Sequence, residues 1–149
     1  MGSDTVISER ALRELYLHNF EIAVREAQPM AVMSSYNLVN GIHTANSHDL
    51  LSKVLRDEWG FEGLVMTDWT TTNPQDPFCS QPAECVRSGN DLIMPGSVED
   101  IERLRKAAAD GTLDWEDIRR CAANVIDIIL RSNCYEGAKP YGKAEWREV

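Results

Sequence analysis

No apolar run in this sequence approaches the roughly 20 residues that a membrane-spanning helix needs, and the N-terminus lacks the basic-then-apolar pattern of a secretion leader. These absences argue against a membrane partner, and the cytoplasm is the expected location. Met1-Gly2 invites a lipidation reading, but Val6 stands where that motif needs Ser or Thr. Basic residues are scarce: 15 Lys and Arg face 24 Asp and Glu, a formal net charge of −9. None of the basic residues forms a run, which speaks against nucleic-acid binding, because phosphate contacts need clustered cations. Cysteine is sparse as well. Cys79, Cys85, Cys121 and Cys134 make no C-x-x-C pair, which argues against zinc. Free thiols are the expectation, with a Cys79–Cys85 bridge across one loop as the alternative. His18, His43 and His48 do not cluster, and neither a metal nor another cofactor is expected.

What is present is enough for one core. A chain of 149 residues that is 43% hydrophobic buries roughly 70% of its unfolded surface when it folds. One domain, or one large piece of a domain, is the default.

Helical and strand periods alternate along the chain. Leu12, Tyr16, Phe20, Ala23 and Ala27 recur at helical spacing after Ser8, a capping residue, and Pro29 closes the segment. Met30-Ala31-Val32-Met33 is a short apolar run of the kind buried on both faces of a parallel sheet. A loop is expected over residues 37–46. Ser47 then caps a helix carrying Leu50, Leu51, Val54, Leu55 and Trp59, which Gly60 ends. The strand Leu64-Val65-Met66 follows, then a loop from Thr70 to Pro77 with turn chemistry and no period.

A helical piece from Pro82 to Ser88 leads to a third expected buried strand, Leu92-Ile93-Met94, stopped by Pro95-Gly96. Ser97 with Asp100 reads as a capping box for a helix ending near Gly111. Asp114 caps a last helix with Ile118, Cys121, Ala122, Val125 and Ile129 in one stripe. Residues 1–7 read as an N-terminal extension, and residues 136–149 as a polar tail. This order implies an α/β fold with about three parallel strands, flanking helices and right-handed crossovers. A complete TIM-type barrel has eight strands and about 250 residues, so the chain reads as a partial barrel, incomplete on its own.

In such folds ligands gather at the C-terminal ends of the strands, which directs attention to Ser34-Ser35-Tyr36-Asn37, Thr67-Asp68-Trp69 and Pro95-Gly96. Asp68 is the one carboxylate directly ending a strand core. A carboxylate there is paired, hydrogen-bonded or used, though a turn-capping Asp is the plain alternative. Trp69 offers a flat apolar face with one N–H donor, suited to stacking on a sugar ring, or it is ordinary packing. Tyr36 could donate to a carboxylate across the mouth of neighbouring strands, or keep its hydroxyl in water. Met33 reads first as core.

Met33-Ser34-Ser35-Tyr36-Asn37, Asn40-Gly41, the run from Leu55 to Gly63 containing Arg56-Asp57-Glu58-Trp59-Gly60-Phe61, and Val65-Met66-Thr67-Asp68-Trp69 together resemble glycoside hydrolase family 3, in its β-glucosidase branch. Leu12-Arg13-Glu14-Leu15-Tyr16-Leu17 upstream and Asn90-Asp91-Leu92-Ile93-Met94-Pro95-Gly96 downstream fit the same family, so the resemblance runs from about Ser8 to about Arg131.

The resemblance implies hydrolysis of O-glycosidic bonds by a retaining mechanism through a covalent glycosyl-enzyme, with Asp68 attacking the anomeric carbon. Met33 and Tyr36 would line the subsite of the cleaved sugar, and Trp69 would border it. Asp68 must stay ionised, and Tyr36 is the nearest candidate donor to hold it so. A second carboxyl group, about 5 Å away, must serve as acid and then base. In the family that residue is a Glu on another domain or its loop, and no match appears here. Upstream strands that grip sugar hydroxyls are also unmatched, and none of the histidines replaces them. His18 reads as a helix-surface residue, His43 as part of a solvated loop and His48 as a helix start.

The whole chain, residues 1–149, is therefore expected to be the C-terminal segment of a family 3 barrel domain, inactive by itself. Its partners would be a β-glucoside or related oligosaccharide, the remaining barrel and second domain of the same enzyme, and a second copy through the uncovered sheet edges. The alternative is a non-catalytic half-barrel module for sugar binding or assembly. Trp69 argues against the β-N-acetylglucosaminidase branch, and the loop from Thr70 to Gln81 is placed to border an outer subsite.

Overall fold

Ser8 starts the first helix by accepting the Ala11 N–H on its Oγ at 3.3 Å, a standard N-cap contact. The computed structural model describes residues 2–76 and 78–132. Within it a short strand β1 (Asp4–Thr5) precedes a helical rod, α1, over residues 9–27. The rod is α-helical at Glu9–Ala11 and His18–Ala27 and π-helical at Leu12–Leu17. Gln28 ends it in the left-handed region at φ 43°, with its N–H returned to Val24 O.

Strand β2 (Ala31–Met33) comes next, then the hairpin of β3 (Leu38–Val39) and β4 (Ile42–His43), and a 3-10 turn at Thr44–Asn46. Helix α2 (Asp49–Glu58) is wound as a π-helix and leads to β5 (Leu64–Met66). Helices α3 (Pro82–Ser88), α4 (Val98–Ala109) and α5 (Trp115–Arg131) complete the order. The predicted caps form: Ser97 and Asp100 make a reciprocal capping box, and Asp114 accepts from Glu116 N.

Strands β2 and β5 pair in parallel, Val32 opposite Val65, and β1, β3 and β4 form a separate small sheet. That second sheet corrects the expectation of a loop over residues 37–46. Asn40 and Gly41, at φ 51° and 81°, make the left-handed turn that two-residue hairpins favour.

The third expected strand is also corrected: Leu92-Ile93-Met94 contributes a single parallel bridge, Leu92 to Met66. The cause lies in the hydrogen bonds. Thr67 Oγ1 takes the Met94 N–H at 2.9 Å, and Met94 O turns to Thr70 N at 2.9 Å, so the segment leaves the ladder after one pair. Pro95, which has no N–H, cannot resume it.

Helix α2 lays Leu51, Val54 and Leu55 against Val24, Trp59, Phe61 and Val65 to form the main core. A second cluster, Val86, Ala107, Leu113 and Cys121, sits among α3, α4 and α5. Gly63 is required by close approach: a Cβ there would stand 2.7 Å from Met30 O and 2.5 Å from the Phe61 ring.

The open side of β2 is a further correction. Its run was expected to be buried on both faces, yet Met30 and Met33 are 46% and 48% exposed. Among the described residues β2 pairs only with β5, and its free side opens onto a groove of about 420 Å³ walled by Tyr16, Phe20, Val32 and Met33. The apolar stripe of α1 faces the same opening, with Val24 its one buried member. The polar tail expected over 136–149, and Cys134, lie outside the described residues.

Candidate active site

Thr67 closes the core end of β5. It is fully buried, and its N–H donates to Leu92 O at 2.9 Å while its Oγ1 receives the Met94 N–H. Asp68, the next residue, emerges half-exposed at the strand end, where its Oδ1 accepts the Trp69 N–H at 2.7 Å. Trp69 is 53% exposed, so its ring is a surface at the strand-end mouth and not core packing. Thr70 turns the chain at φ 59° and donates its hydroxyl to Trp69 O at 2.6 Å.

Tyr36, at the exit of β2, reaches the same place. Its hydroxyl donates to Trp69 O at 2.6 Å. Partial burial first, and then hydrogen bonding with and the negative charge of Asp68, hold the phenol above its ordinary pKa of 10.0. The hydroxyl therefore stays protonated and able to donate beside the carboxylate. Asp68, Trp69 and Tyr36 are thus brought together, whereas Met33 faces the apolar groove on the open side of β2.

The supports of this cluster were not all apparent in sequence. Asn90 is fully buried: its Oδ1 accepts from Ser34 Oγ at 2.9 Å, and its Nδ2 donates to Ala45 O and Cys85 O. One side chain thereby ties the β2 exit, the 3-10 turn and α3. Its position just before an apolar run was the available signal.

Asp91 beside it accepts from Arg56, Val65 N and Asn124, holding β5 against the 90–92 segment. His43, expected in a solvated loop, is 7% exposed. Here the Asn40-Gly41 turn, flanked by Leu38-Val39 and Ile42, was the signal for a hairpin that buries one of its members.

Cys79, Cys85 and Cys121 are free thiols, so the alternative of a Cys79–Cys85 bridge falls. Among the described residues no group of three or more His, Cys, Asp or Glu is placed to hold a metal ion. No helix among them is long and apolar enough to cross a membrane. The arrangement offers an accessible carboxylate held by a backbone N–H, a protonated phenol next to it, and an exposed indole at the rim. That set suits a nucleophilic or charge-stabilising carboxylate facing a polyhydroxylated ring.

Residues 2–128 match the profile of the Glycosyl hydrolase family 3 N terminal domain. β-Glucosidase B of Emericella nidulans is 42% identical over 132 residues, covering 87% of this chain and 15% of that protein. An exo-α-(1→6)-L-arabinopyranosidase of Bifidobacterium breve is 42% identical, over 87% of this chain and 16% of its own length. Among solved structures, β-glucosidase 3B from Thermotoga neapolitana in complex with glucose superposes with a TM-score of 0.77 at 43% identity, covering 85% of this chain and 18% of that one. The chain therefore spans less than a fifth of the length of these three proteins.

Proposed function

The chain belongs to glycosyl hydrolase family 3, and on that footing we propose that it is the nucleophile-bearing part of a retaining glycosidase, with Asp68 as the attacking carboxylate. The observation that carries this reading is the half-exposed Asp68 at the end of β5, beside an exposed Trp69 and a Tyr36 whose phenol is held protonated by partial burial and then by the same carboxylate. The names of its relatives, β-glucosidases and an arabinopyranosidase, support glycoside hydrolysis over a non-catalytic sugar-binding or assembly module.

In the proposed reaction an Asp68 oxygen attacks the anomeric carbon as the bond to the leaving oxygen breaks and a separate acid protonates that oxygen. A glycosyl ester on Asp68 results, and water activated by the same group, now a base, releases the sugar with its configuration retained. Tyr36 stabilises the carboxylate before attack and after release, and Trp69 stacks on the apolar face of the ring. Met33 would contribute from the wall of the cleaved sugar's subsite. The acid/base is assigned to a part of the protein outside this chain, together with the barrel strands and second domain that complete the substrate site. This chain is then the C-terminal segment of a barrel domain, acting on β-glucosides or related oligosaccharides.

The test uses the full-length protein. Asp68→Gly should abolish turnover of an aryl β-glucoside, and added azide should restore cleavage with formation of a glycosyl azide of inverted configuration. A mutant with wild-type turnover would remove Asp68 from the mechanism.

A further inference from the structure

Between the β3–β4 hairpin and the segment after Trp69 lies a polar cavity of about 120 Å³, lined by Tyr36, His43, Thr70, Thr71, Asp76 and Phe78 among others. His43 is its buried wall, and both ring nitrogens are engaged. Nδ1 accepts the Ala45 N–H at 3.1 Å, and Nε2 lies 3.2 Å from Thr71 Oγ1. A backbone N–H can only donate, so Nδ1 must present a lone pair, and the ring is neutral with its proton on Nε2. Nε2–H then donates to Thr71.

Both ends of this link are anchored. Ala45 is fully buried and its carbonyl receives the Asn90 amide at 2.6 Å. Thr71 O accepts from Ser80 N at 2.8 Å, and Thr70 N is held by Met94 O. His43 therefore connects a fixed turn to the stretch of chain that begins at Trp69.

From this geometry we propose that His43 is a positioning residue: as the neutral Nε2–H tautomer it docks the 70–76 segment onto the hairpin and so sets Trp69 beside Asp68. The consequence for catalysis rests on Asp68 and Trp69 forming the cleavage site, as proposed above; the docking itself does not.

The link carries a pH dependence. Burial lowers the His43 pKa from its ordinary 6.5, and the negative charge of Asp76 offsets part of that. The other titratable group on the cavity wall, Tyr36, stays neutral in this range. The undocked ring takes a proton near 6.5 while the docked ring resists one. Docking is therefore at full strength above that value and weakens as pH falls through the lower folded pKa. A proton on Nδ1 would set two donors against each other at Ala45.

The test is hydrogen exchange by mass spectrometry on the full-length protein, corrected for intrinsic rates, between about pH 7.5 and pH 5. His43→Leu should speed exchange in peptides covering 69–76 by up to about tenfold, the worth of one hydrogen bond, and raise KM for an aryl glucoside with them. Wild type should show the same loosening on acidification. His43→Gln keeps an N–H near the Nε2 position and cannot titrate, so its exchange should stay flat with pH.

Unchanged exchange in His43→Leu, or an acid response shared by His43→Gln, would overturn the docking. If His43→Leu fails to fold, the comparison of wild type with His43→Gln still decides. Loosened exchange with unchanged KM would remove the catalytic consequence alone. Failure of Asp68 as nucleophile appears separately, as activity surviving in Asp68→Gly.

Discussion

Arg56 and Asp91 form an ion pair at 2.7 Å in which the Asp91 side chain is completely buried and that of Arg56 is 17% exposed. Further contacts hold both partners: Arg56 also donates to Gly63 O at 3.1 Å and lies over the Phe61 ring at 5.5 Å, its buried Nε having no hydrogen-bond partner among the described residues, while Asp91 accepts from Val65 N at 2.8 Å and Asn124 at 2.8 Å. It locks the register of β5, and hence the height of Asp68, from the opposite end of the strand. Asp91→Ala leaves the Arg56 charge uncompensated, and a loss of about 3–5 kcal/mol is expected. Urea unfolding of the variant against wild type measures it, and a loss below about 1 kcal/mol would mean that the pair is no better than a surface one.

Tyr36→Phe removes the donor that Trp69 O and Asp68 share. Loss of a hydrogen bond to a charged group costs about 1.5–3 kcal/mol, so turnover in the full-length enzyme should fall by roughly one to two orders of magnitude. Unchanged turnover with only a raised KM would make Tyr36 a subsite wall. The phenol should also titrate above 10.0 in an ultraviolet difference spectrum against the Phe variant. A group whose folded pKa is raised contributes stability that is complete below its unfolded value and is lost as pH climbs through the folded one.

The thiols should separate by burial. Burial pushes Cys85 up to about 12 and Cys121 up to about 11, and both are buried, whereas Cys79 is half-exposed. The thiolate is the reactive form. Brief alkylation at neutral pH followed by peptide mapping should therefore label Cys79 well ahead of the other two. Equal labelling under native conditions would show that the second core cluster opens readily.

Faces left uncovered among the described residues predict how the 149-residue chain behaves by itself. The groove beside β2, and a second of about 590 Å³ between α4 and α5 walled by Ile101, Leu104, Trp115, Ile118 and Ile126, leave apolar surface and a strand edge in water. Such surfaces promote association. Light scattering should report species larger than a monomer, and an aryl-glucoside assay on the same sample should read zero. A monodisperse monomer with glycosidase turnover would require the acid/base residue to lie within this chain.

Local signals settled much of the architecture in advance. Helix starts at Ser8, Ser47, Ser97 and Asp114, and the chain reversal at Gly60, were readable because caps and left-handed glycines act over three or four residues. The strand cores Ala31–Met33 and Leu64–Met66 were readable as apolar runs, and Asp68, Trp69 and Tyr36 as the polar and aromatic residues that follow them.

Tertiary structure alone decided the rest, because the deciding partners are distant in the chain. Whether Leu92-Ile93-Met94 continues as a strand depends on Thr67, 27 residues earlier, capturing the Met94 N–H. Whether His43 is wet or buried depends on Thr71, 28 residues later. Whether β2 is covered depends on what lies along its free edge, which no period within β2 encodes. Periodicity reports which face of an element is apolar; what that face meets is a property of the assembled fold.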